Sequence, residues 1–391
     1  MQRRYAVILL ALGALSGTQA AAQQTGAPAT PVTPAAVARH YAQLVHANYA
    51  DTLAAAQEMQ TAINAFIAAP SADTLAAARQ SWLAAREFYG QTEAFRFYGG
   101  PIDDDQGPEG QLNAWPLDES YVDYVQGKPG SGLINNPKFK ITKANLARMN
   151  ERGGEENVST GWHAIEFLLW GQDLSETGPG ERSFNDYVDG QTPHADRRRQ
   201  YLKVVTELLI DDLNALVRAW APGGKNYGAR FARGGRESVR KIIVGLGSLS
   251  RGELAGERME VALASQDQED EHSCFSDNTH RDMVTNALGI RNVWLGQYRR
   301  RDGSTLSGPG VRDLVAAADA PLADKTTAQL DASLKATEAI EAPFDREIIG
   351  GPDAPGRQRV QKAVDSLTEQ SKLLVASAHA IGIKNLTLVQ P

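Results

Sequence analysis

From Ala35 to Ala69 the chain is built of alanine, leucine and glutamine with apolar side chains three and four residues apart, and Pro70 stops the run. That period is one stripe of an α-helix and fits no strand. It constrains the fold because it keeps returning. Ser71 is placed to cap a second helix that runs through Leu75, Trp82, Leu83, Phe88 and Tyr89 to about Phe97. A third is expected over Asn157 to Gln172, and a fourth from Ala195 to Trp220 with Leu202, Val205, Leu208, Leu209, Leu213 and Leu216 inward. Further helices are expected at about 234–266, 268–286, 310–317, 325–342 and 356–381. No segment alternates strand with helix, so the reading is an all-α chain of antiparallel, bundle-packed helices. One long irregular loop, from Ile102 to about Ala144, interrupts the first half, and loops of that length are usually functional.

The break Ala221-Pro222-Gly223-Gly224 divides the chain into an N-terminal bundle, 35–222, and a C-terminal bundle, 223–391, packed side by side. Each half opens on long helices and then offers a polar, histidine-bearing segment, so the halves are expected to be related. Residues 1–22 have the form of a secretory signal peptide: Arg3 and Arg4, an apolar centre from Tyr5 to Leu15, and Ala20-Ala21-Ala22 for cleavage. Residues 23–34, rich in proline and small side chains, are expected to be a disordered leader. No other apolar run is long enough to span a bilayer, so the exported chain is expected not to be transmembrane. The exported chain is expected to be soluble. Cys274 is the single cysteine, which excludes an intramolecular disulfide and leaves stability to packed apolar surface. Lys and Arg number 40 against 47 Asp and Glu, a net charge of −7 that becomes more negative when Arg3 and Arg4 are removed. That balance argues against nucleic acid as a partner.

Within the third helix, Gly161-Trp162-His163-Ala164-Ile165-Glu166 sets an imidazole and a carboxylate three residues apart on one helical face. Such a pair can hold a metal ion, pass a proton, or form a buried hydrogen bond between helices. The run from Gln266 to Asp282 is polar for seventeen residues, and on a helix Glu269, Ser273, Ser276 or Asp277, and His280 would form one stripe. Serines, an asparagine and a cysteine suit a lined pocket better than an exposed helix face. Glu93 sits among aromatic residues and needs a buried partner, either a metal or an arginine such as Arg86 or Arg96. Asp103-Asp104-Asp105 lacks EF-hand spacing and is expected to be a solvated acidic loop. There is no His-Glu-x-x-His, no complete dinucleotide loop and no nucleophile elbow. Cys274 is expected to be a packing residue, and His40, His46, His194 and His379 surface or core.

Gly161-x-His163-x-x-Glu166 resembles the motif that defines the imelysin-like proteins, exported bacterial proteins first classed as metallopeptidases. The block Gly252-Glu253-Leu254-Ala255-Gly256-Glu257-Arg258-Met259 and the run from Glu269 through His280 resemble the iron-regulated protein A subgroup. The resemblance implies two related helical halves with the motif near their interface, export to the periplasm or outer-membrane compartment, and a role in iron acquisition. On this basis His163 and Glu166, with Glu93 and His280, are the expected metal ligands. Ser273, Ser276 and Asp277 are the expected ligand-binding residues, all facing a polar cleft between the halves. The cofactor is iron, with zinc as the alternative; the partners are a metal ion or a metal-bearing small ligand and an envelope transport protein. Two other readings stand beside it. One is a zinc-dependent metallopeptidase in which Glu166 ligates zinc or acts as the general base. The other has no metal: the pair is a structural bridge and the protein binds an organic ligand or a protein partner.

Overall fold

The computed structural model of the chain describes residues 32–175 and 177–389, so the signal peptide and nearly all of the leader lie outside the described residues. The fold is all-α, with one short hairpin, Gln297–Arg299 against Thr305–Ser307, that the periodicity does not announce. None of the described helices is long and apolar enough to cross a membrane.

Local chemistry sets the helix ends. The first helix, Pro34–Ala68, begins where Thr33 accepts a hydrogen bond from the Ala36 amide, with Pro34 in the first turn. The second, Ala72–Tyr89, starts from a capping box between Ser71 and Thr74 and continues as a 3-10 turn, Gly90–Phe95. These two helices pack against each other, and the first also packs against the helix Ala195–Trp220, whose inward leucines are buried as its spacing requires. Residues from Val37 to Ile383 share one hydrophobic core.

The third helix, Gly161–Trp170, carries the motif, and all ten of its residues are buried. A helix apolar on every side belongs in the interior, and here the only polar side chains are the motif pair. Glycine at 161 is obligatory on two counts. Its φ is +79°, and a Cβ there would sit 2.3 Å from the carbonyl oxygen of Leu112. Gly171, with φ of +77°, ends the helix.

The irregular stretch after Ile102 contains short helical turns, Glu109–Asn113, Glu119–Val122, Gly132–Asn135 and Lys143–Met149. Buried charge fastens it: Asp123 accepts from Arg182 at 2.7 Å and from Arg198 at 2.6 and 2.9 Å. Arg197 donates to the carbonyls of Leu133, Ile134, Asn136 and Phe139. The acidic triplet divides: Asp104 and Asp105 are exposed as expected, but Asp103 caps the backbone amides of Phe97 and Gly100.

In the C-terminal part the departure that bears on the site follows Ser265, while the helix expected at 325–342 lies at Ala320–Thr337. Residues 234–266 form one rod, Arg236–Ser248, then a π-helix Leu249–Glu260, then Val261–Ser265. The next helix is not 268–286. Only a 3-10 turn, Gln268–Asp270, and a run of turns precede the helix Thr279–Leu295. Serine, asparagine and aspartate compete for backbone hydrogen bonds, and here they win: the Ser273 amide donates to Thr279 Oγ1 and Asp277 takes a positive φ of 56°. The single polar stripe expected from Glu269 to His280 therefore does not exist. Val311–Ala318, Ala320–Thr337 and Pro355–Ala380 complete the chain.

Because Gly161 meets both a positive φ and a carbonyl, Gly161→Ala should lower stability by roughly 2–4 kcal/mol. Urea unfolding measures this, and a midpoint equal to that of the parent chain would show that the tight approach to Leu112 is dispensable.

Candidate functional site

Side chains from four elements converge on the motif helix. His163 Nδ1 is 2.8 Å from Glu166 Oε2, the one-turn pairing that the spacing requires. Glu166 Oε1 accepts from the Ser276 amide at 3.0 Å and from Ser276 Oγ at 2.6 Å. Beside them the His163 and His272 rings meet edge to face, centroids 4.7 Å apart. His272 is fully engaged: Nδ1 lies 2.8 Å from Asp282 Oδ2, and the Asn113 amide lies 3.3 Å from Nε2. Arg86 donates to Asp282 Oδ1 at 2.9 Å and to Asn113 Oδ1 at 2.7 Å, which turns the Asn113 NH2 group toward His272. Ser273 Oγ also donates to Asp282.

A second network adjoins the first. Arg258, from the π-helix, donates to Glu93 at 2.8 Å, to Glu253 at 2.9 Å and to Asn286. Arg96 donates to the same Glu93 oxygen at 2.6 Å and pairs with Glu109 at 3.0 Å.

The two networks hold their acids differently. Burial would raise Glu93, but Arg96 and Arg258 overrule it and keep its carboxyl at about 2. Asp282, equally buried, is likewise held well below the usual carboxylate range by Arg86 and His272. Glu166 has no arginine contact, and burial raises it to about 8 although Ser276 and Arg86 pull the other way. Burial, aided by the nearby positive charge of Arg86, pushes His163 well below its ordinary value, so its ring is neutral near pH 7.

Among the described residues, seven buried polar atoms in and beside these networks have no protein partner: His163 Nε2, Glu93 Oε1, Trp162 Nε1, Tyr49 OH, Tyr89 OH, Arg96 Nε and Arg258 Nε. A buried polar group without a partner costs about 1–3 kcal/mol, so such a concentration is unusual for a purely structural core.

The structure thus brings together His163, Glu166, Ser276 and Ser273 from the expected set. Glu93 lies in the arginine network, with Arg96 its partner and Arg86 turned to Asp282 instead. Asp277 and His280 stand apart and only half-buried, His280 Nδ1 lying 3.1 Å from the Asp277 carbonyl oxygen. The motif pair does not face an open cleft: His163 is 2% exposed and Glu166 not at all. Among the described residues, no three His, Cys, Asp or Glu side chains converge as a ready metal shell. His272, Asp282, Arg86, Asn113 and Arg258 belong to the site without having been expected there. The remaining histidines divide as surface and core: His40 is buried against the Gly296 carbonyl oxygen, and His379 is exposed.

Residues 45–374 match the family model described as Imelysin. Iron-regulated protein A of Synechococcus elongatus is 27% identical over 273 residues, covering 67% of this chain and 63% of that protein, so the chain spans less than two thirds of its curated relative's length. Two solved structures share the fold. One, assigned as an iron-regulated protein A precursor from Parabacteroides distasonis, has a TM-score of 0.69 at 20% identity, covering 90% of this chain and 97% of that one. The other, an imelysin-like protein from Psychrobacter arcticum, has a TM-score of 0.63 at 14% identity, covering 91% and 99%.

The Glu166 carboxyl fixes a testable pH response. It ionises near 4.5 when unfolded and near 8 when folded, so the folded state holds the extra proton between those values. Stability from this group is therefore lost as pH rises from about 5 to 8, at about 1 kcal/mol per pH unit. Glu166→Gln keeps the shape of the protonated acid. Its stability relative to the parent should rise across that range, and parallel pH profiles for the two chains would refute the assignment.

Proposed function

This chain belongs to the imelysin family, and from that membership we propose that it is an exported, periplasmic protein that binds iron or an iron-containing ligand at the His163 site and serves iron acquisition. The observation that carries the reading is the split role of the His163 ring: Nδ1 is tied to Glu166 while buried Nε2 has no partner. A neutral imidazole whose second nitrogen leans on a carboxylate is the usual arrangement of a metal-binding histidine. Imidazole nitrogen is a ligand that suits iron. The name of the Synechococcus relative, iron-regulated protein A, points the same way.

Glu166 then acts on His163 and not on the metal. A metal on Nε2 requires the ring proton on Nδ1, and the ionised Glu166 carboxylate accepts it there. Ser276 holds the other carboxylate oxygen, fixing the direction of that acceptor. The complete burial of the pair favours binding over peptide hydrolysis, which needs a groove for an extended chain and an open coordination position.

Iron titration by calorimetry, with ferrous iron under nitrogen and ferric citrate in air, tests the reading. One iron per chain is expected, weakened at least tenfold by His163→Ala. Glu166→Gln should weaken it as much, because an amide NH2 donates to Nδ1 and forces the proton onto Nε2. Iron binding that is unchanged in both variants would remove His163 from the site.

A further inference from the structure

A separate cavity of about 520 Å³ lies beside the first helix. Arg39, Ala42, Gln43, His46 and Ala47 line one side of it, at positions i, i+3, i+4, i+7 and i+8 of a single helical stripe. Trp220 and the turn after it form another side, the short helix Tyr227–Phe231 supplies Gly228 and Ala229, and the hairpin adds Arg300 and Leu306. The space exists because small residues face it. A side chain at Gly228 would press on the Trp220 backbone at 3.0 Å, so the helix can sit this close only with glycine there.

The walls have a definite chemical character. Trp220 is 3% exposed and is held edge-on by Tyr41, Tyr227 and Phe231, so it is a rigid apolar surface. All the charged and titratable lining residues are basic: Arg39, His46 and Arg300. In a chain with a net charge of −7, a cavity without one acid is selective in sign. The two guanidinium groups are not equivalent. Arg300 is gripped by both Asp51 oxygens at 2.9 and 2.7 Å, whereas Arg39 is exposed and pairs with no acid among the described residues.

We propose that this cavity is a binding site for a small aromatic carboxylate, its ring on the Trp220 side and its carboxylate on Arg39. The volume is in the range of small-molecule sites, and apolar walls with one convergent charged group are their usual composition. A guanidinium suits a carboxylate better than an ammonium does because it can donate two parallel hydrogen bonds. The site shares no lining residue with the His163 network, so it stands or falls independently of the iron reading.

Equilibrium dialysis of the intact exported chain with 2-naphthoate and with its neutral amide, 2-naphthamide, tests the proposal. Naphthoate should bind saturably, one per chain, at least tenfold tighter than naphthamide. Arg39→Gln, a change at an exposed position, should abolish that preference by weakening naphthoate alone. Ala229→Leu should weaken both compounds at least tenfold by filling the cavity, with a melting curve confirming that the variant is folded. Equal binding of acid and amide to the parent chain, absence of saturable binding, or naphthoate affinity unmoved by Arg39→Gln would each overturn it.

Discussion

The ion pair between Arg86 and Asp282, both about 1% exposed, is the constraint on which the interior depends. Removing either partner would strand a charge in the core, at a cost of about 3–5 kcal/mol, so the two elements that carry them are locked in register. Asp282 begins the Thr279–Leu295 helix, and Arg86 ends the Ala72–Tyr89 helix. Once they are joined, the turns before Thr279 have one place to go. Ser273 and His272 fold back onto Asp282, Ser276 reaches Glu166, and His272 is set against His163. The motif pair is oriented by a charge pair from other parts of the chain.

The π-helix Leu249–Glu260 does a related task by geometry. Its wider turn, with hydrogen bonds five residues apart, brings Glu253 and Arg258 to the same side, where they pair at 2.9 Å. In an α-helix a spacing of five points the two side chains apart. Arg258 can therefore hold Glu253 and Glu93 at once, joining this rod to the 3-10 turn after the second helix. Segments of this kind concentrate at functional sites, and this one delivers a buried guanidinium beside His163's neighbours.

What the sequence could disclose follows from which interactions are periodic. The helix Ala195–Trp220 and the capped start at Ser71 were legible because local spacing and local hydrogen bonds decide them. The pairing of His163 with Glu166 was legible for the same reason. The partnership of His272 with Asp282 was not, because ten residues are no helical interval and the intervening turn is set by side-chain competition for the backbone. Arg86 shows the limit differently. It was recognised as a candidate partner for buried Glu93, but its true acid lies 196 residues away, and Arg96 and Arg258 serve Glu93. Expecting one helix over 268–286 also placed Asp277 and His280 on a stripe with Ser273, and the turns break that stripe.

Charge accounting across the interior supports the motif, and not its surroundings, as the proposed place for a cation. Glu93, Glu253 and Asp282 each have an arginine within 2.9 Å, so these acids are already neutralised by fixed partners. A metal competing for them would have to displace a buried guanidinium and leave it unpaired. Glu166 differs. Its oxygens are held by Ser276 and His163, neither of which carries positive charge near pH 7, so no fixed charge compensates its burial. A positive ion on His163 Nε2 would supply the compensation by favouring the ionised carboxylate one ring away. The arginines thus occupy the neighbouring acids, which is why the proposed cation is placed at Gly161-x-His163-x-x-Glu166.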